Sequence, residues 1–340
     1  MKYRQSRIMN NKYIKRFITI LTIFLVFLPQ TILAEASGDA WATFSDITSE
    51  YDGSGVRIAL IDTGVSCKYI DESRVVEGKN YVFPDKTGND LIGHGTAIAG
   101  IILGSDKLGI KGIASGAELV PLVYYSRYIT GVPGNGGIDA ICKAIYDAID
   151  IYGCRIINIS SGITADNDKL REAIAYAEEK NVLVVSSVGN TNRSSPDEVY
   201  YPVAYETVIG VGSINEKKEV AGFSQRNISV KLVAPGVDIP TVPISNSSKP
   251  VKVSGSSYSA AFITGAAALL LEANPELSAA QLREILYRTA EDLGSEGYDT
   301  ETGWGLIDVS KALSEAPKYM PLTSKSAGEL VTVPYLKEAA

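Results

Sequence analysis

A single histidine is the most conspicuous candidate for chemistry in this sequence. His94 is the only histidine among 340 residues, so any imidazole chemistry must take place there. It stands in a Gly-His-Gly-Thr sequence, and glycines on both sides would let a substrate or a nucleophile approach the ring closely. A lone histidine is more often a hydrogen-bonded structural residue. One histidine cannot build a multi-histidine metal centre.

An aspartate follows directly on an apolar run. Asp62 comes after residues 56–61 and begins an Asp-Thr-Gly sequence. Catalytic groups of open parallel sheets gather at the carboxyl ends of strands, which is where this aspartate would lie. The same tripeptide could be half of an aspartic protease site, but that mechanism needs a second copy to share the proton, and the sequence contains none. A strand-end turn without a chemical role is the other alternative.

A serine opens a long stretch of small and apolar residues. Ser257 lies at the beginning of residues 256–273, which predict a buried helix that ends before an Asn-Pro pair. A hydroxyl there can cap the helix, or it can act as a nucleophile whose oxyanion is favoured by the helix dipole. The motif alone does not separate the two. The competing hydroxyls are those of Ser254, Ser256 and Ser259.

The elements that must position these residues follow from hydrophobic periodicity. Continuous apolar runs are typical of strands covered on both faces. Such runs occupy residues 56–61, 119–124, 156–159, 182–185, 208–211 and 230–233. Amphipathic helices are predicted between them at 138–149 and 170–177, and a further helix at 278–290 has a capping box of Ser278 and Gln281. This alternation predicts an α/β fold with a mostly parallel sheet.

The amino-terminal segment resembles a targeting signal. A basic region precedes the apolar run 17–28, which is too short to span a bilayer comfortably, and Ala34 and Ala36 form an Ala-x-Ala cleavage pattern. We therefore predict a signal peptide at 1–36 and a short segment at 37–44, with maturation by signal removal. A retained membrane anchor is the alternative.

Charge and cysteine content exclude some classes of protein. The net charge of −7 argues against a nucleic-acid partner, since binding to phosphates needs a surplus of basic residues on at least one face. Cys67, Cys142 and Cys154 form an odd set without a Cys-x-x-Cys pair. We expect buried free thiols rather than a disulfide framework or a zinc site.

Taken together, the motifs resemble those of a known family. Four short motifs occur in the order Asp-Thr-Gly, Gly-His-Gly-Thr, Val-Gly-Asn and Gly-Ser-Ser, and they contain Asp62, His94, Asn190 and Ser257. Their order and spacing are similar to those of the signature motifs of subtilisin-like serine proteases, the subtilase family. Further matches are Ser-Ser-Gly at 160–162, Ala-Pro-Gly at 234–236 and Gly-Trp-Gly at 303–305. The resemblance covers residues 45–313.

The resemblance implies a fold and a catalytic site. We expect a three-layer subtilisin-like fold with helices on both faces of the sheet, a peptidase domain at 45–313 and a tail at 314–340. Asp62, His94 and Ser257 would form the catalytic triad. The side-chain amide of Asn190 and the backbone N–H of Ser257 would form the oxyanion hole.

The resemblance also implies a substrate-binding site, with departures from the family pattern. The matching residues are Ser160, Ser161, Gly162, Gly189 and Tyr200. Tyr200 stands where relatives often have a small residue in the pocket for the residue before the scissile bond, so we expect a shallow pocket. Tyr258 stands where relatives usually have a methionine after the nucleophile. Ala261 stands where they usually have a proline. We expect no cofactor for catalysis and no metal in the site. Structural calcium is left as an alternative that the loop at 104–109 does not support, because it lacks the paired asparagines of the family's calcium site.

These observations predict a secreted or extracellular serine endopeptidase. Its partner would be a peptide or protein substrate, it would act as a monomer, and it would contact a membrane only through an uncleaved signal. It would be either broadly degradative or dedicated to processing secreted precursor peptides, and the shallow pocket favours processing. The alternative is a catalytically silent peptide-binding protein on the same scaffold.

Overall fold

A seven-stranded parallel sheet forms the centre of the computed structural model, which describes residues 50–127, 133–244 and 247–319. All strands are numbered in chain order, including the short ones outside this sheet. The members of the sheet are β1 (Arg57–Asp62), β2 (Lys79–Asn80), β5 (Glu118–Val123), β8 (Ile156–Ile159), β9 (Leu183–Ser187), β10 (Val208–Ile214) and β11 (Leu232–Pro235). The strand order is β11-β10-β9-β8-β1-β5-β2, with every pairing parallel. β1, which ends at Asp62, therefore lies inside the sheet between β8 and β5.

Three antiparallel pairs, six α-helices and three short 3-10 helices complete the described part of the chain. The pairs are β3 (Gly104–Ser105) with β4 (Ile110–Lys111), β6 (Tyr125–Arg127) with β7 (Pro133–Asn135), and β12 (Ile239–Thr241) with β13 (Val251–Val253). The helices are α1 (His94–Ile102), α2 (Gly137–Asp150), α3 (Asp168–Glu179), α4 (Ser256–Ala273), α5 (Ala279–Thr289) and α6 (Val309–Glu315).

The helices cover both faces of the sheet. Side chains of β1 alternate between two hydrophobic cores, with Ile58 and Leu60 in one and Ala59 and Ile61 in the other, all fully buried. The first core contains α1, α4, α5 and α6, and the second contains α2 and α3. The predicted three-layer α/β fold is therefore confirmed.

Strand boundaries depart from the apolar runs where polar side chains are satisfied inside the sheet. The run at 182–185 predicts an end at residue 185, but β9 continues through Ser186 and Ser187, both of which are buried. The hydroxyl of Ser186 donates to the carbonyl oxygen of Ile159 at 2.8 Å. Because this hydrogen bond removes the cost of burying the hydroxyl, the strand can extend into a serine pair.

The carboxyl-terminal helices lie where the sequence predicts them. α4 spans residues 256–273, and 16 of its 18 residues are buried, which explains the absence of a polar face. Before α5, Ser278 accepts from the backbone N–H of Gln281 and the Gln281 side chain accepts from that of Ser278. The predicted capping box is present.

The ordered packing extends past the predicted domain boundary at residue 313, because α6 continues through Glu315. The amide nitrogen of Asn274 donates to the carbonyl oxygens of Ala316 and Tyr319, both at 3.0 Å. Ala316 is fully buried. Packing therefore keeps the chain on the domain as far as residue 319.

Several predicted segments lie outside the described residues. These are the signal peptide at 1–36, the segment at 37–44 and the tail from residue 320 onward. Within the ranges that are described, no helix combines the length and the apolar character required to cross a bilayer.

Candidate active site

Asp62 and His94 form a buried hydrogen-bonded pair. The Nδ1 atom of His94 lies 2.8 and 3.0 Å from the two carboxylate oxygens of Asp62, and these residues are 8 % and 2 % exposed. An ionised carboxylate only accepts hydrogen bonds, so Nδ1 must donate. The lone pair of the neutral ring is then on Nε2, which is the arrangement that a general base needs.

The glycines beside His94 serve helix packing. His94 is the first residue of α1, which follows Gly93 at a φ of +108°. A Cβ atom on Gly95 would lie 2.3 Å from the carbonyl oxygen of Gly64 and 3.2 Å from Oδ1 of Asp62. Only a glycine lets α1 approach the turn after β1 closely enough for the Asp62–His94 contact. The sequence interpretation, in which the glycines open the ring to substrate, missed this role.

The surroundings of His94 favour its charged form. Burial lowers the pKa of His94, but the charge and hydrogen bond of Asp62 and the charge of Asp90 together raise it above its ordinary value. The imidazolium that forms when the ring accepts a proton is therefore stabilised by two carboxylates.

Ser257 is the second residue of α4 and is 4 % exposed. The ring of its neighbour Tyr258 lies 5.7 Å, centroid to centroid, from the imidazole of His94. The hydroxyl of Ser160 lies 3.5 Å from the carbonyl oxygen of Ser257. The structure thus brings the start of α4 to the Asp62–His94 pair. The hydrogen bond between Ser257 Oγ and His94 Nε2 stays a prediction.

The competing hydroxyls have other partners. Ser254 Oγ accepts from the backbone N–H of Asp238 at 2.9 Å. Ser259 Oγ lies 2.9 Å from Ser213 Oγ and donates toward the carbonyl oxygens of residues 234 and 235. Ser256 Oγ accepts from the backbone N–H of Gly189 at 3.2 Å. These contacts assign all three competitors to structural roles.

Asn190 lies directly beside the start of α4. Its Oδ1 atom accepts from the backbone N–H of Ser256 at 2.8 Å and from the Ser256 hydroxyl at 2.9 Å. A backbone N–H can only donate, so the amide must present its oxygen on this side. The Nδ2 group lies near Gly255, where a Cβ atom would be 3.3 Å from it.

Tyr200 packs between the two predicted substrate-binding segments. Residues 160–162 follow directly on β8, and a Cβ atom on Gly162 would lie 3.0 Å from Cβ of Tyr200. On the other side, a Cβ atom on Gly189 would lie 2.7 Å from the Tyr200 ring. The residue is only 5 % exposed. Its ring therefore fills the space between these backbones.

Hydrogen bonds fix the Tyr200 ring in this position. The hydroxyl donates to the carboxylate of Glu198 and lies 2.7 Å from Oγ1 of Thr191. Burial and the Glu198 hydrogen bond raise the pKa of Tyr200 to about 12, so the phenol stays neutral at physiological pH. The sequence indicated that this position is bulky, but it did not indicate these partners.

Sequence reasoning missed two residues that shape the site. Thr63 donates its backbone N–H to Asp62 Oδ1 at 2.7 Å and accepts from the backbone N–H of Gly95 at 2.9 Å. Asp90 is a buried carboxylate four residues before His94 that accepts four hydrogen bonds from residues 92–96. Capping signals in a sequence place the polar residue at the N-cap itself, so Asp90, three residues before the N-cap, was not recognisable from the sequence.

Metal-binding side chains do not gather in the described parts of the chain. There, no group of three or more His, Cys, Asp or Glu residues lies close enough to hold a metal ion. The loop at 104–109 forms β3 and a short 3-10 turn. Cys142 and Cys154 are buried free thiols as expected, whereas Cys67 is half-buried.

A parallel three-layer fold that brings a buried Asp–His pair near the N-terminal turn of a serine-bearing helix is typical of a serine hydrolase. The profile of the subtilase family, Peptidase S8, matches residues 53–305. The chain belongs to the subtilase family of serine peptidases. This confirms the resemblance inferred from the motifs and the assignment to a hydrolase.

Named relatives support the same conclusion. Subtilisin DY of Bacillus licheniformis is 33 % identical over 264 residues, which cover 77 % of this chain and 92 % of that protein. The crystal structure of fervidolysin from Fervidobacterium pennivorans, described as a keratinolytic enzyme related to subtilisin, matches with a TM-score of 0.72 and 30 % identity. That match covers 86 % of this chain but only 48 % of fervidolysin. A lanthipeptide protease matches with a TM-score of 0.65 and 27 % identity, over 76 % of this chain and 87 % of the protease.

Proposed function

We propose that this protein is a secreted serine endopeptidase that cleaves peptide bonds through an acyl-enzyme intermediate. The observation that carries the proposal is the buried hydrogen-bonded pair of Asp62, at the end of β1, and His94, at the start of α1, which lies close to the first turn of α4. His94 Nε2 takes the proton of Ser257 Oγ as this oxygen attacks the carbonyl carbon of the scissile bond. Asp62 holds the ring in the required tautomer and stabilises its charged form. The imidazolium then protonates the leaving amine, and water releases the acyl group by the reverse sequence.

The developing oxyanion has two proposed donors. One is the backbone N–H of Ser257, which lies in the first turn of α4, where helical N–H groups have no partner within the helix. The other is Nδ2 of Asn190, because Oδ1 of the same amide is occupied by Ser256. Donors that are held in place before the reaction stabilise the transition state without reorganisation at the moment of attack.

The proposed substrates have a small residue before the scissile bond. Tyr200 occupies the space between residues 160–162 and Gly189, so a long side chain would have to displace a ring that is hydrogen-bonded at its far end. Such restriction suits an enzyme that processes defined precursor peptides better than one that degrades proteins broadly. The similarity to a lanthipeptide protease is compatible with this role.

The remaining parts of the proposal follow from the same residues. Catalysis uses only protein groups and needs no cofactor, and all site residues come from one chain, so a monomer suffices. The basic and apolar amino-terminal sequence supports secretion, with retention at a membrane if the signal stays uncleaved. The partner is a peptide or protein substrate.

A fluorophosphonate probe tests the central claim, because it reacts only with an activated serine. We expect mass spectrometry to locate the label on Ser257 in the full chain, and we expect Ser257→Ala to abolish labelling. Ser254→Ala is the matched control, since Ser254 lies just before the same helix and should leave labelling intact. An intact, folded protein that the probe does not label would favour the silent peptide-binding alternative.

A further inference from the structure

Asp90 is a buried carboxylate whose four hydrogen bonds all come from the segment that carries His94. It is 2 % exposed. Its Oδ1 atom accepts from the backbone N–H groups of Ile92 and Gly93, both at 2.8 Å. Its Oδ2 atom accepts from the backbone N–H of Thr96 at 2.9 Å and from the Thr96 hydroxyl at 2.7 Å. The carboxylate is therefore surrounded by donors from residues 92–96.

This arrangement replaces a missing helix cap. The N-cap position of α1 is Gly93, which has no side chain to accept from the first turn. Asp90 accepts from the backbone N–H of Gly93, the N-cap residue. It also accepts from the backbone N–H of Thr96, the third residue of the helix. An ordinary cap of Ser, Thr, Asp or Asn would satisfy that third position from the cap residue itself. Here the cap is supplied from three residues upstream.

A second contact holds the same turn on the other side. The backbone N–H of Gly95 donates to Oγ1 of Thr63, the residue after Asp62. The first turn of α1 is thus held between Thr63 at the end of β1 and Asp90 in the preceding loop. His94, the first residue of that turn, lies between these two attachments.

Charge links Asp90 to the imidazole as well. The titratable groups described beside the ring are Asp62 at the end of β1, Asp90 in the loop before α1 and Tyr258 on α4. Burial lowers the pKa of His94, and the carboxylates of Asp62 and Asp90 raise it. Asp62 contacts the ring directly, whereas Asp90 acts through space.

We propose that Asp90 is a positioning residue for His94: it fixes the first turn of α1 so that the imidazole stays on Asp62, and its negative charge supports the imidazolium. Its effect on turnover rests on the proposed function, whereas its effect on the imidazole does not. A misplacement of a reacting group by about 1 Å can cost on the order of 100-fold in rate, so a loosened first turn should be visible in kcat.

The test uses the fact that the chain has one histidine. The protein is labelled at histidine, and the pKa of His94 is followed by NMR in a Ser257→Ala background, which prevents self-digestion. Asp90→Asn keeps the shape of the side chain and removes its charge. We expect this variant to lower the pKa of His94. Asp85→Asn is the matched control, because Asp85 is an exposed residue of the same loop, paired with Lys86, and should leave the pKa unchanged.

The kinetic arm uses the enzyme with Ser257 intact. We expect Asp90→Asn to lower kcat by about 10- to 100-fold with little change in KM. Thr96→Val separates position from charge, since it keeps the carboxylate while it removes one donor to Asp90 and the acceptor of the Ser66 backbone N–H. This variant should lower kcat less and leave the pKa of His94 near that of the parent.

Several outcomes would overturn the proposal. A folded Asp90→Asn variant with unchanged kcat and an unchanged pKa of His94 would show that the carboxylate is only a loop support. If Asp90→Asn does not fold, unchanged kcat in Thr96→Val would refute the positioning role. Failure of Ser257 to react with a fluorophosphonate would instead refute the proposed function and leave the NMR result valid.

Discussion

Ser256 holds the side-chain oxygen of Asn190 with two hydrogen bonds, one from its backbone N–H at 2.8 Å and one from its hydroxyl at 2.9 Å. The residue before the proposed nucleophile therefore orients the proposed oxyanion donor. Since Oδ1 is occupied, only Nδ2 can interact with a substrate. In the proposed mechanism, the helix start supplies the nucleophile and aligns the group that stabilises the developing oxyanion.

Replacing Asn190 by alanine should lower kcat by about 100- to 1000-fold, because an oxyanion donor acts mainly in the transition state. KM should change little. Steady-state kinetics on one peptide substrate checks both values. Asn192→Ala, two residues further along the same loop, is the control and should keep kcat near that of the parent. Equal losses of kcat in the two variants would show that the loss comes from disturbance of the loop and not from removal of the oxyanion donor.

Removing either Ser257 or His94 should abolish nearly all turnover. We expect Ser257→Ala and His94→Ala each to lower kcat by about 10⁴-fold or more, and the double variant to lose little beyond either single one, because triad members act as a unit. The measurement is kcat for the three variants and the parent. Losses that multiply in the double variant would mean that the two residues act independently.

Opening the Tyr200 position should change the preference at the residue before the scissile bond. Tyr200→Ala removes the ring between Gly162 and Gly189, so kcat/KM for a phenylalanine substrate relative to an alanine substrate should rise about 10- to 100-fold. Cleavage of a matched peptide pair measures this ratio. Tyr200→Phe keeps the ring and removes the hydroxyl bonded to Glu198, and its preference should stay that of the parent. A similar shift in both variants would contradict the steric explanation.

Activity should fall as the pH is lowered through the pKa of His94, because only the neutral ring can accept the serine proton. Burial lowers this pKa, but Asp62 and Asp90 raise it by more, so the midpoint of kcat/KM should lie above the ordinary value of about 6.5. A pH profile from 4 to 9 checks this. A midpoint below about 6.5 would contradict the net effect of the carboxylates.

The contribution of His94 to the stability of the fold should depend on pH in the direction opposite to that of activity. A histidine whose folded pKa is raised contributes stability that is fully present below its unfolded pKa and is lost as pH rises through its folded pKa. His94 should therefore stabilise the fold most at the acidic end, where the enzyme is least active. Comparing the free energy of unfolding of Ser257→Ala with and without His94→Ala across this range measures the contribution.

Much of the fold could be predicted from local pattern. The buried helix at 256–273 and the capping box at Ser278 follow from apolar composition and from a spacing of three residues, both of which act within one element. The strand at 182–185 extends to Ser187 because a hydrogen bond to β8 satisfies Ser186. That partner is distant in sequence, so periodicity could not show it.

By itself, the sequence determined which groups were available for chemistry: one imidazole, an aspartate at a strand end, and a serine at the start of an apolar helix. Only the tertiary structure decided that Asp62 contacts a histidine 32 residues away and that Ser256 holds an asparagine 66 residues away. It also decided that Asp90 caps the helix of His94. The reason is that periodicity reports which face of an element is buried, whereas the distance between two side chains depends on how separate elements pack.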